Sequence, residues 1–444
     1  MNLLLANLHW NYGVDLSLKK MGHLDFCTGL AIIAGEIREK RNDTLFVLDN
    51  YVRDISEEEI DKFIEKHRID CILLSMYLGN FQYKYLKRFI LHVIKIFPHI
   101  KIIIGGPMAS TIPDVLLGNI VASDKQIICV VGEGEYTIID LLNCISAEGR
   151  FADIKGIVYK EGLIIHTAAR ERIKNLDIRT KPAYELFDME KYLDYIKAKN
   201  RCWEMITSRG CYGSCTFCKL VFGQDITMRS AASIVSEMEE FYKTFGINRF
   251  NFVDDNFLNS ENRVWDFYNA LKKSKIQFKW RFQGRADRLH PDLAKALMDV
   301  GLFDVMLGIE SGSPEILKEM NKNLDLEVAK NYIQRYPSGL DTHGTFVVGM
   351  PGESEKTIKQ TEEFIKESGL KYITAGILTI FPGTHIYRYA MNKGYIPNED
   401  IYCENLGPIY VKSYINLTKY TDDQLLQWRK LLIFSGKVVD HWSV

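Results

Sequence analysis

One short stretch decides the fold: Ser208-Arg209-Gly210-Cys211-Tyr212-Gly213-Ser214-Cys215-Thr216-Phe217-Cys218-Lys219 holds three cysteines within eight residues. It directly follows an apolar run at residues 204–208 that predicts a strand. A loop this tight can wrap three thiolates around one compact metal centre, and sulfur ligands select iron–sulfur clusters or zinc. The other six cysteines are scattered along the chain, which argues against a disulfide framework.

Zinc is the first alternative for this loop. A structural zinc site is normally closed by four protein ligands, and the nearest histidines, His166 and His290, lie far away in sequence without paired spacing. Three cysteines instead leave one iron of a four-iron cluster open to a ligand from outside the protein. We therefore interpret Cys211, Cys215 and Cys218 as ligands of a 4Fe-4S cluster.

Strands and amphipathic helices alternate after residue 200. Six predicted strands, each followed by a helical pattern, indicate a partial (β/α)6 barrel similar to a TIM barrel. Catalytic groups of such barrels come from the carboxyl ends of the strands. The residues at these ends are Asp254-Asp255-Asn256, Gln283-Gly284-Arg285, Glu310-Ser311-Gly312 and Gly349-Met350-Pro351-Gly352-Glu353.

The roles of the residues at three of these strand ends have alternatives. Adjacent carboxylates at Asp254 and Asp255 would be costly to bury without a cation, so we expect a ligand or solvent near them. Helix capping by Asp255 is the alternative. Arg285 and Glu310 carry the groups that bind a carboxylate and a diol, respectively. They could also pair with each other across the barrel.

The first 150 residues show the same alternation of strand and helix. Five apolar runs, separated by amphipathic patterns, predict a doubly wound and mostly parallel Rossmann-like sheet. Such sheets bind ligands beyond the carboxyl ends of their strands. Glycines in the loops there permit close approach, although turns between strands and helices also need them.

Residues 151–200 separate the two predicted domains. A hairpin is predicted over residues 154–167, with Glu161-Gly162 as its turn. A charged connector with Pro182 follows over residues 168–200. The chain therefore divides into a Rossmann-like domain (1–150), a hairpin and connector (151–200), a barrel (201–395) and a C-terminal tail or lid (396–444). The tail shows no motif but contains Tyr402, Cys403, Tyr410, Tyr414 and Trp428.

The CxxxCxxC spacing after a strand resembles the signature of the radical S-adenosylmethionine (SAM) superfamily. The resemblance implies that SAM binds the open iron through its amino and carboxylate groups, and that reduction of the cluster cleaves SAM to a 5′-deoxyadenosyl radical. It also implies contacts with SAM at the strand ends. These are Phe217 beside the adenine, Asp254 and Asp255 at the amino group, Arg285 at the carboxylate, Glu310 at the ribose and Gly349 as a backbone contact. For Phe217, a core aromatic is the alternative.

The N-terminal half resembles the cobalamin-binding domain that precedes many radical SAM barrels. The resemblance is carried by Gly105-Gly106-Pro107, Gly132-Glu133-Gly134-Glu135, the hairpin and the connector. The sequence departs from the family at Asn7-Leu8-His9-Trp10, where Asn-Pro-Pro is usual, and at Phe26-Cys27-Thr28-Gly29, where Pro-Leu-Gly is usual. The implied contacts with cobalamin are Ser75, Gly105, Gly106, Gly132 and Glu133. Trp10 and Tyr12 could stack against a corrin, or they could fill the space that a lost corrin leaves.

Two enzyme functions follow from these resemblances. The first is a cobalamin-dependent methyltransferase that acts on an unactivated carbon of a small molecule or peptide. The second is a radical SAM enzyme that does not use cobalamin and catalyses ring formation, dehydrogenation, epimerisation or rearrangement. Either function implies an external electron donor such as flavodoxin or ferredoxin. A non-catalytic iron–sulfur or zinc module is a third possibility, although a scaffold would not need the polar strand ends.

Composition narrows the partners and the compartment. A net charge of −1 and the lack of a basic tract give no electrostatic case for nucleic acid. No apolar run approaches the roughly 18 residues that span a bilayer, and the start of the sequence lacks the features of a signal peptide. We therefore expect a cytoplasmic enzyme without a membrane span or a nucleic-acid partner.

Overall fold

The computed structural model describes residues 1–8, 26–50, 52, 55–77, 79–178 and 180–436. The chain forms two compact units. The first comprises Met1–Lys174, Ile178–Lys199 and Ile396–Pro408, and the second comprises Asn175–Asp177, Asn200–Tyr395 and Ile409–Val444. The predicted tail is therefore not one structural element, because its first part belongs to the N-terminal unit and the remainder belongs to the barrel unit.

A seven-stranded sheet forms the centre of the first unit. Its strands are β1 (Asn2–Asn7), β2 (Thr44–Asp49), β3 (Cys71–Ser75), β4 (Lys101–Gly105), β5 (Ile127–Val130), β6 (Ile157–Glu161) and β7 (Leu163–His166). The strand order is β2-β1-β3-β4-β5-β6-β7. The first five strands are parallel, which confirms the predicted doubly wound sheet. The predicted hairpin is not a separate connector, because β6 pairs with β5 and extends this sheet as an antiparallel edge.

Helices cover this sheet. They are α1 (Thr28–Lys40), α2 (Glu57–His67), α3 (Gln82–Ile96), α4 (Gly106–Thr111), α5 (Pro113–Asn119), α6 (Glu135–Ser146) and α7 (Met189–Ala198). Their apolar faces are buried; Leu86 and Phe89 of α3, for example, lie in one core cluster with Ile72 and Ile104 of the sheet. Burial of such large side chains supplies most of the folding free energy of the unit.

The second unit contains the predicted partial barrel. Its strands are β8 (Trp203–Met205), β9 (Ser208–Arg209), β10 (Thr227–Met228), β11 (Arg249–Phe252), β12 (Lys279–Arg285), β13 (Leu302–Glu310), β14 (Asp341–Val348) and β15 (Tyr372–Ile377). Six strands form an all-parallel sheet in the order β15-β14-β13-β12-β11-β8. The predicted first strand is divided in two, because β9 leaves this sheet and pairs with β10 in a separate antiparallel ribbon.

The remaining helices follow in chain order. They are α8 (Ala231–Phe245), α9 (Glu261–Lys273), α10 (Pro291–Asp299), α11 (Pro314–Glu319), α12 (Leu326–Arg335), α13 (Glu355–Ser368), α14 (His385–Asn392), α15 (Glu399–Asn405) and α16 (Asp422–Phe434). Within the first unit, Lys87 of α3 holds α15 through ion pairs with Asp400 (2.7 Å) and Glu404 (2.8 Å). Of the helices in the described part of the chain, none has the length and apolarity needed to cross a membrane.

An aromatic core aligns the barrel strands that matter for the site. Phe252 of β11, Phe267 of α9 and Trp280 of β12 are buried, with ring centroids 5.2 to 5.6 Å apart. Rings of this size dominate the burial energy of a core. Because β11 and β12 are parallel neighbours, their carboxyl ends, with Asp254 and Arg285, lie at the same edge of the sheet.

Candidate functional site

The cysteine loop joins β9 to β10 in the barrel unit. Gly210 opens the loop at a φ of +89°, and an added β-carbon would lie 2.6 Å from the carbonyl oxygen of Asp225. Only glycine fits there without strain. The backbone of Gly210 donates to Asp255 Oδ2 (2.9 Å) and accepts from Asn259 Nδ2 (3.0 Å). The loop entrance is thereby tied to the segment that follows β11.

Further hydrogen bonds hold the middle of the loop. The Thr216 N–H donates to the carbonyl of Met320 (2.8 Å), and Asn321 Nδ2 donates to Ser214 Oγ (2.7 Å). The carbonyl of Thr216 accepts from the N–H of Ile386 in α14 (2.9 Å). The segment after α11 and the start of α14 therefore position the loop, so its geometry depends on residues more than 100 positions away.

The three thiols share one environment. A β-carbon added at Gly213 would lie 3.5 Å from Cys211 Sγ and 3.9 Å from Cys215 Sγ, which places both sulfurs around the same glycine. Burial raises the pKa of Cys215. Burial and the nearby charges of Cys215 and Asp255 raise the pKa of Cys218 to about 12. The thiols therefore lie close enough to influence one another's ionisation.

The described residues contain no group of three or more His, Cys, Asp or Glu side chains already arranged to hold a metal ion. The fit to a cluster therefore rests on the donor set, which is three thiols on one well-anchored loop. Three soft sulfur donors suit an iron–sulfur cluster with one open iron better than a closed zinc site.

Asp254, expected at the SAM amino group, is engaged by groups of its own chain, so that contact stays a prediction. Its carboxylate is buried and accepts from the Thr207 N–H (2.6 Å) and from Ser208 Oγ (2.7 Å). The guanidinium of Arg263 lies 3.9 Å away and supplies the cation that a buried carboxylate needs. Asp254 therefore positions the chain between β8 and β9, directly before the cysteine loop.

Asp255 is exposed, and its carboxylate binds the cysteine loop and does not cap the helical turn that follows it. Its Oδ2 accepts from Gly210 N–H, as described above, and its charge raises the pKa of Cys218. The helical turn that follows is capped by Asn256, whose side chain accepts from the Leu258 N–H. The capping alternative for Asp255 is therefore wrong, and its position beside Cys218 leaves a contact with SAM as a proposal.

Arg285 forms a bidentate ion pair with a carboxylate of its own chain, that of Asp287. Its Nε and Nη2 donate to the two oxygens of Asp287 (3.0 and 2.8 Å). Its guanidinium also donates to the carbonyls of Lys322 (2.7 Å) and Asn323 (2.6 Å). Four of its five N–H groups are used, so a bidentate contact with the SAM carboxylate would require Asp287 to move. Arg285 is better described as a buried brace for the Lys322 segment.

Glu310 pairs with Lys322, so the alternative of a pair with Arg285 is wrong. The Glu310 Oε1 and Lys322 Nζ atoms are 3.0 Å apart, and the two side chains are 12% and 9% exposed. Glu310 has a φ of +71°, a conformation that costs a non-glycine residue about 1 kcal/mol or more. A β-carbon added at Gly308 would lie 2.9 Å from Glu310 Oε1, so glycine leaves the space for this pair.

Lys322 is a site residue that the sequence analysis missed. Burial by itself lowers the pKa of Lys322, but the charges of Glu310 and Cys215 outweigh burial and raise that pKa above its ordinary value. The ammonium group therefore lies beside both the cysteine loop and the end of β13. Asparagine favours turns, so Asn321 and Asn323 indicate a turn from the sequence, and both have positive φ in the structure. No local pattern in the sequence shows that the Lys322 side chain points inward.

Gly349 lies at a φ of +105° in the loop after β14, and its N–H donates to Glu353 Oε2 (3.1 Å). Glu353 is buried and its other oxygen accepts from Thr357 Oγ1 (3.2 Å). A backbone contact between Gly349 and the adenine remains a proposal, and it would have to use a group other than this N–H.

The protonation of Glu353 should make the stability of the folded protein depend on pH. Burial raises its pKa to about 7 despite three hydrogen bonds that lower it. An acid whose pKa is higher in the folded state binds more protons when folded, so stability falls as pH rises from about 4.5 through 7. We expect the protein to lose about 2 to 3 kcal/mol of stability between pH 5 and 8 through this group. In Glu353→Gln this loss should be absent, as measured by urea unfolding at both pH values. An unchanged pH dependence in the variant would contradict the assignment.

Phe217 is partly exposed next to Cys218. It is thus not a fully buried core aromatic, which leaves its ring accessible. The contact with adenine stays a proposal.

Three predicted cobalamin contacts lie together at the ends of β3 and β4. Gly106 has a φ of +83°, and an added β-carbon would lie 2.9 Å from Ser75 Oγ and 3.0 Å from the carbonyl of Met76. Ser75 Oγ also makes a hydrogen bond with the buried thiol of Cys27. Gly105, which directly precedes Gly106, is the N-cap residue of α4. The chain can therefore approach another group closely at this edge of the sheet.

The loop after β5 contains two predicted cobalamin contacts, Gly132 and Glu133, which have different surroundings. Gly132 has a φ of +83°, and an added β-carbon would meet no atom within 4 Å. Glu133 is buried, and its Oε2 accepts from the Ile173 N–H (2.7 Å) and Arg172 Nε (3.0 Å). This carboxylate therefore holds the connector in the structure, and a contact between Glu133 and cobalamin stays a prediction. Trp10 and Tyr12 lie outside the described residues.

Comparison with known families identifies both units. The model of the radical SAM superfamily matches residues 205–365, and the model of the B12-binding domain matches residues 27–142. The chain belongs to the radical SAM superfamily, in the group with an N-terminal B12-binding domain. As an enzyme of this superfamily, it uses SAM with a 4Fe-4S cluster and needs a substrate and an electron donor. The B12-binding domain indicates cobalamin as a further cofactor.

Three known proteins illustrate the relationship of this radical SAM protein to others. It is 28% identical to an uncharacterized methyltransferase of Pyrococcus horikoshii over 82% of this chain and 78% of the relative. It has the fold of OxsB, a cobalamin-dependent radical enzyme solved with aqua-cobalamin and SAM, at a TM-score of 0.69 and 20% identity. That match covers 95% of this chain but only 58% of OxsB. It also has the fold of the methyltransferase TsrM from Kitasatospora setae, at a TM-score of 0.72 and 17% identity, over 89% of this chain and 76% of TsrM.

Proposed function

We propose that this protein is a cobalamin-dependent radical SAM methyltransferase that acts in the cytoplasm on an unactivated carbon of a small molecule or peptide. Flavodoxin or ferredoxin would serve as its electron donor. The observation that carries the proposal is that one chain combines a match to the radical SAM superfamily at residues 205–365 with a match to the B12-binding domain at residues 27–142. The buried Glu310–Lys322 pair adds one carboxylate and one ammonium group to the first of these regions. The relation to a Pyrococcus methyltransferase over most of the chain supports the same reaction class.

In this proposal, Cys211, Cys215 and Cys218 hold the cluster. Lys322 replaces Arg285 as the cation for the SAM carboxylate, because its ammonium has three donors and Glu310 occupies one of them. Glu310 would accept hydrogen bonds from the ribose hydroxyls. The site therefore offers complementary charge to a ligand that carries both an ammonium and a carboxylate group.

When bound, the cluster with SAM supplies a radical that removes a hydrogen atom from the substrate, and cobalamin supplies a cobalt that carries a methyl group. The chain's own residues hold these reactants in place. Asp254 and Asp255 position the cysteine loop through Thr207, Ser208 and Gly210. Holding reactants in one geometry is a major part of a catalyst's effect.

The loops after β3, β4 and β5 in the first unit would hold cobalamin. Gly106 and Gly132 have backbone conformations that leave no side chain between a ligand and the loop, and Ser75 supplies a hydroxyl group. These residues suit a large ligand that approaches the backbone closely.

Anaerobic reconstitution with iron, sulfide and hydroxocobalamin tests the function. We expect about four irons and one corrin per chain, and we expect conversion of SAM to S-adenosylhomocysteine that requires cobalamin. A protein that binds iron and cleaves SAM to 5′-deoxyadenosine but binds no corrin would contradict the proposal. That result would favour the cobalamin-independent alternative.

Gly106→Ala should weaken cobalamin binding. The new β-carbon would clash with Ser75 and with the Met76 backbone, and alanine at a φ of +83° is strained. We expect a loss of roughly tenfold in affinity, because the loop relieves the clash by moving out of the conformation that lets its backbone approach the ligand. The measurement is a spectroscopic titration with hydroxocobalamin. Gly118→Ala, where the added carbon meets no atom within 4 Å, is the matched control. Equal affinities of the two variants would place cobalamin elsewhere.

A further inference from the structure

The barrel sheet buries one of its two faces and leaves the other accessible. Trp280 and Phe282 of β12 are buried, and both rings pack against the ring of Phe257. Arg281 and Gln283 alternate with them along the strand and therefore point to the opposite face, which we call the inner face. Gln283 is exposed although β12 has a neighbouring strand on each side. The inner face is therefore open to a ligand.

Polar side chains continue across the inner face from strand to strand. Residues that pair in parallel register lie on the same face of a sheet. The register joins four polar residues of four neighbouring strands in one row, namely Glu204, Asn251, Arg281 and Asp304. Closed TIM barrels fill such positions mainly with valine, isoleucine and leucine. The polarity of this row is therefore unlike that of a packed barrel core.

Ion pairs and a ring stack close the amino-end part of the inner face. Arg281 Nη1 lies 3.0 Å from Asp304 Oδ2, and His343 Nε2 lies 3.5 Å from the same oxygen. The His343 ring stacks on the Tyr372 ring, with centroids 4.4 Å apart. Because these groups contact one another, we interpret them as the floor of the barrel.

Two hydroxyl groups lie nearer the carboxyl ends of the strands. Thr345 of β14 pairs in register with Gly308 on one side and with Thr374 of β15 on the other. A β-carbon added at Gly308 would lie 2.9 Å from Glu310 Oε1 and 3.1 Å from Lys322 Nζ. The threonine row therefore adjoins the Glu310–Lys322 pair, to which the proposed function assigns SAM.

The groups above the floor are placed to bind a polar molecule. Thr374 is exposed and Thr345 is partly exposed. The amide nitrogen of Gln283 donates to the carbonyl of Asp254 (2.8 Å), which orients the amide, and its Oε1 offers an acceptor. An apolar ligand over these groups would take them out of water without replacing their hydrogen bonds, which is unfavourable for every group so covered. A ligand with several polar groups of its own would replace those bonds.

We propose that the substrate is a polar, water-soluble small molecule and that Gln283, Thr345 and Thr374 bind it through hydrogen bonds. The assignment rests on the proposed function, because it places the substrate beside SAM. It narrows the substrate class to molecules with several hydrogen-bonding groups and excludes lipids and other largely apolar molecules.

Methyl-labelled SAM tests the substrate class. The full-length protein, loaded with its cluster and cobalamin and supplied with a reductant, is incubated with the aqueous or the chloroform-soluble fraction of an extract of the cells that carry the gene. We expect labelled product from the aqueous fraction. Labelled product from the chloroform-soluble fraction alone would overturn the substrate class and leave methyl transfer intact. If neither fraction gives labelled product, the proposed function is refuted and this assignment with it.

Two variants test the binding residues. Thr345→Val and Thr374→Val each remove one hydroxyl group with little change in volume. We expect each to lower the labelled product formed from a limiting amount of the aqueous fraction about three- to tenfold, which is the usual effect of one lost hydrogen bond. The dissociation constant of SAM and the unfolding temperature should not change.

The control is Thr244→Val, which should form labelled product as the wild type does. Thr244 is exposed on α8, a helix that packs on β8 through Phe241 and Trp203, with ring centroids 4.6 Å apart. If Thr345→Val and Thr374→Val both match this control, the binding role is refuted while the proposed function stands. A loss of product accompanied by weaker SAM binding or a lower unfolding temperature would likewise contradict it, because that pattern reports a structural role.

Discussion

Alanine in place of Cys215 is expected to abolish SAM cleavage, with at least a thousandfold loss of 5′-deoxyadenosine formation relative to the wild type. The radical forms only when the cluster delivers an electron, and the variant keeps only two of the three thiols that this loop offers to a cluster. The same result is expected for Cys211→Ala and Cys218→Ala. Iron content, the visible spectrum and 5′-deoxyadenosine measured after reduction check this prediction.

A matched cysteine serves as the control. Cys202 belongs to the same unit and is partly buried, but it precedes β8, at the opposite end of the strand from the cysteine loop. Cys202→Ala should keep the full iron content and the full rate of SAM cleavage. Intact iron content in a variant that lacks Cys211, Cys215 and Cys218 together would overturn the assignment of the cluster.

Methionine in place of Lys322 is expected to destabilise the protein by about 3 kcal/mol, because removal of one partner leaves the other charge buried and unpaired. Glu310 would be that unpaired charge, held in a left-handed conformation with 12% of its side chain exposed. Methionine preserves most of the volume, so the loss reports on charge and not on packing. Urea unfolding of the metal-free protein at pH 8 measures the effect.

Two further variants test whether the loss of stability in Lys322→Met comes from the unpaired charge of Glu310. The double variant Glu310→Gln with Lys322→Met should recover much of the lost stability, since it buries no unpaired charge. Lys330→Met is the control lysine; its ion pairs with Glu327 (3.1 Å) and Glu367 (3.2 Å) lie at the surface, and we expect a loss below about 1 kcal/mol. A Lys322→Met variant as stable as Lys330→Met would show that the buried pair does not support the fold.

The strand-end residues show how far local sequence reasoning reaches. Asp254, Asp255, Arg285 and Glu310 were all expected at the carboxyl edge of the barrel sheet, and the structure places them there. Their partners were not predictable. The carboxylate of Asp254 is satisfied by Thr207 and Ser208, which lie 47 and 46 residues earlier in the chain. Hydrogen bonds at such separations depend on how strands pair, and a linear pattern does not encode them.

The tail illustrates the same limit in a segment without a motif. Tyr410 is one of several aromatic residues there, and its sequence neighbours do not indicate the left-handed backbone. Its conformation follows from hydrogen bonds to Thr379 and Ile377. The division of the tail between two units is likewise a result of long-range contacts, for example between Lys87 and Asp400.

The two α/β units, their order and the cysteine loop are predictable from residue order alone, because strand periodicity, helix amphipathicity and ligand spacing are local properties of the chain. Which polar residues are available to a ligand depends instead on the folded structure. The fold assigns Asp254, Arg285 and Glu133 to internal ion pairs and hydrogen bonds, and it pairs Lys322 with Glu310. The physical reason is that a buried charged group must find a partner, and that partner is chosen by the folded chain in space.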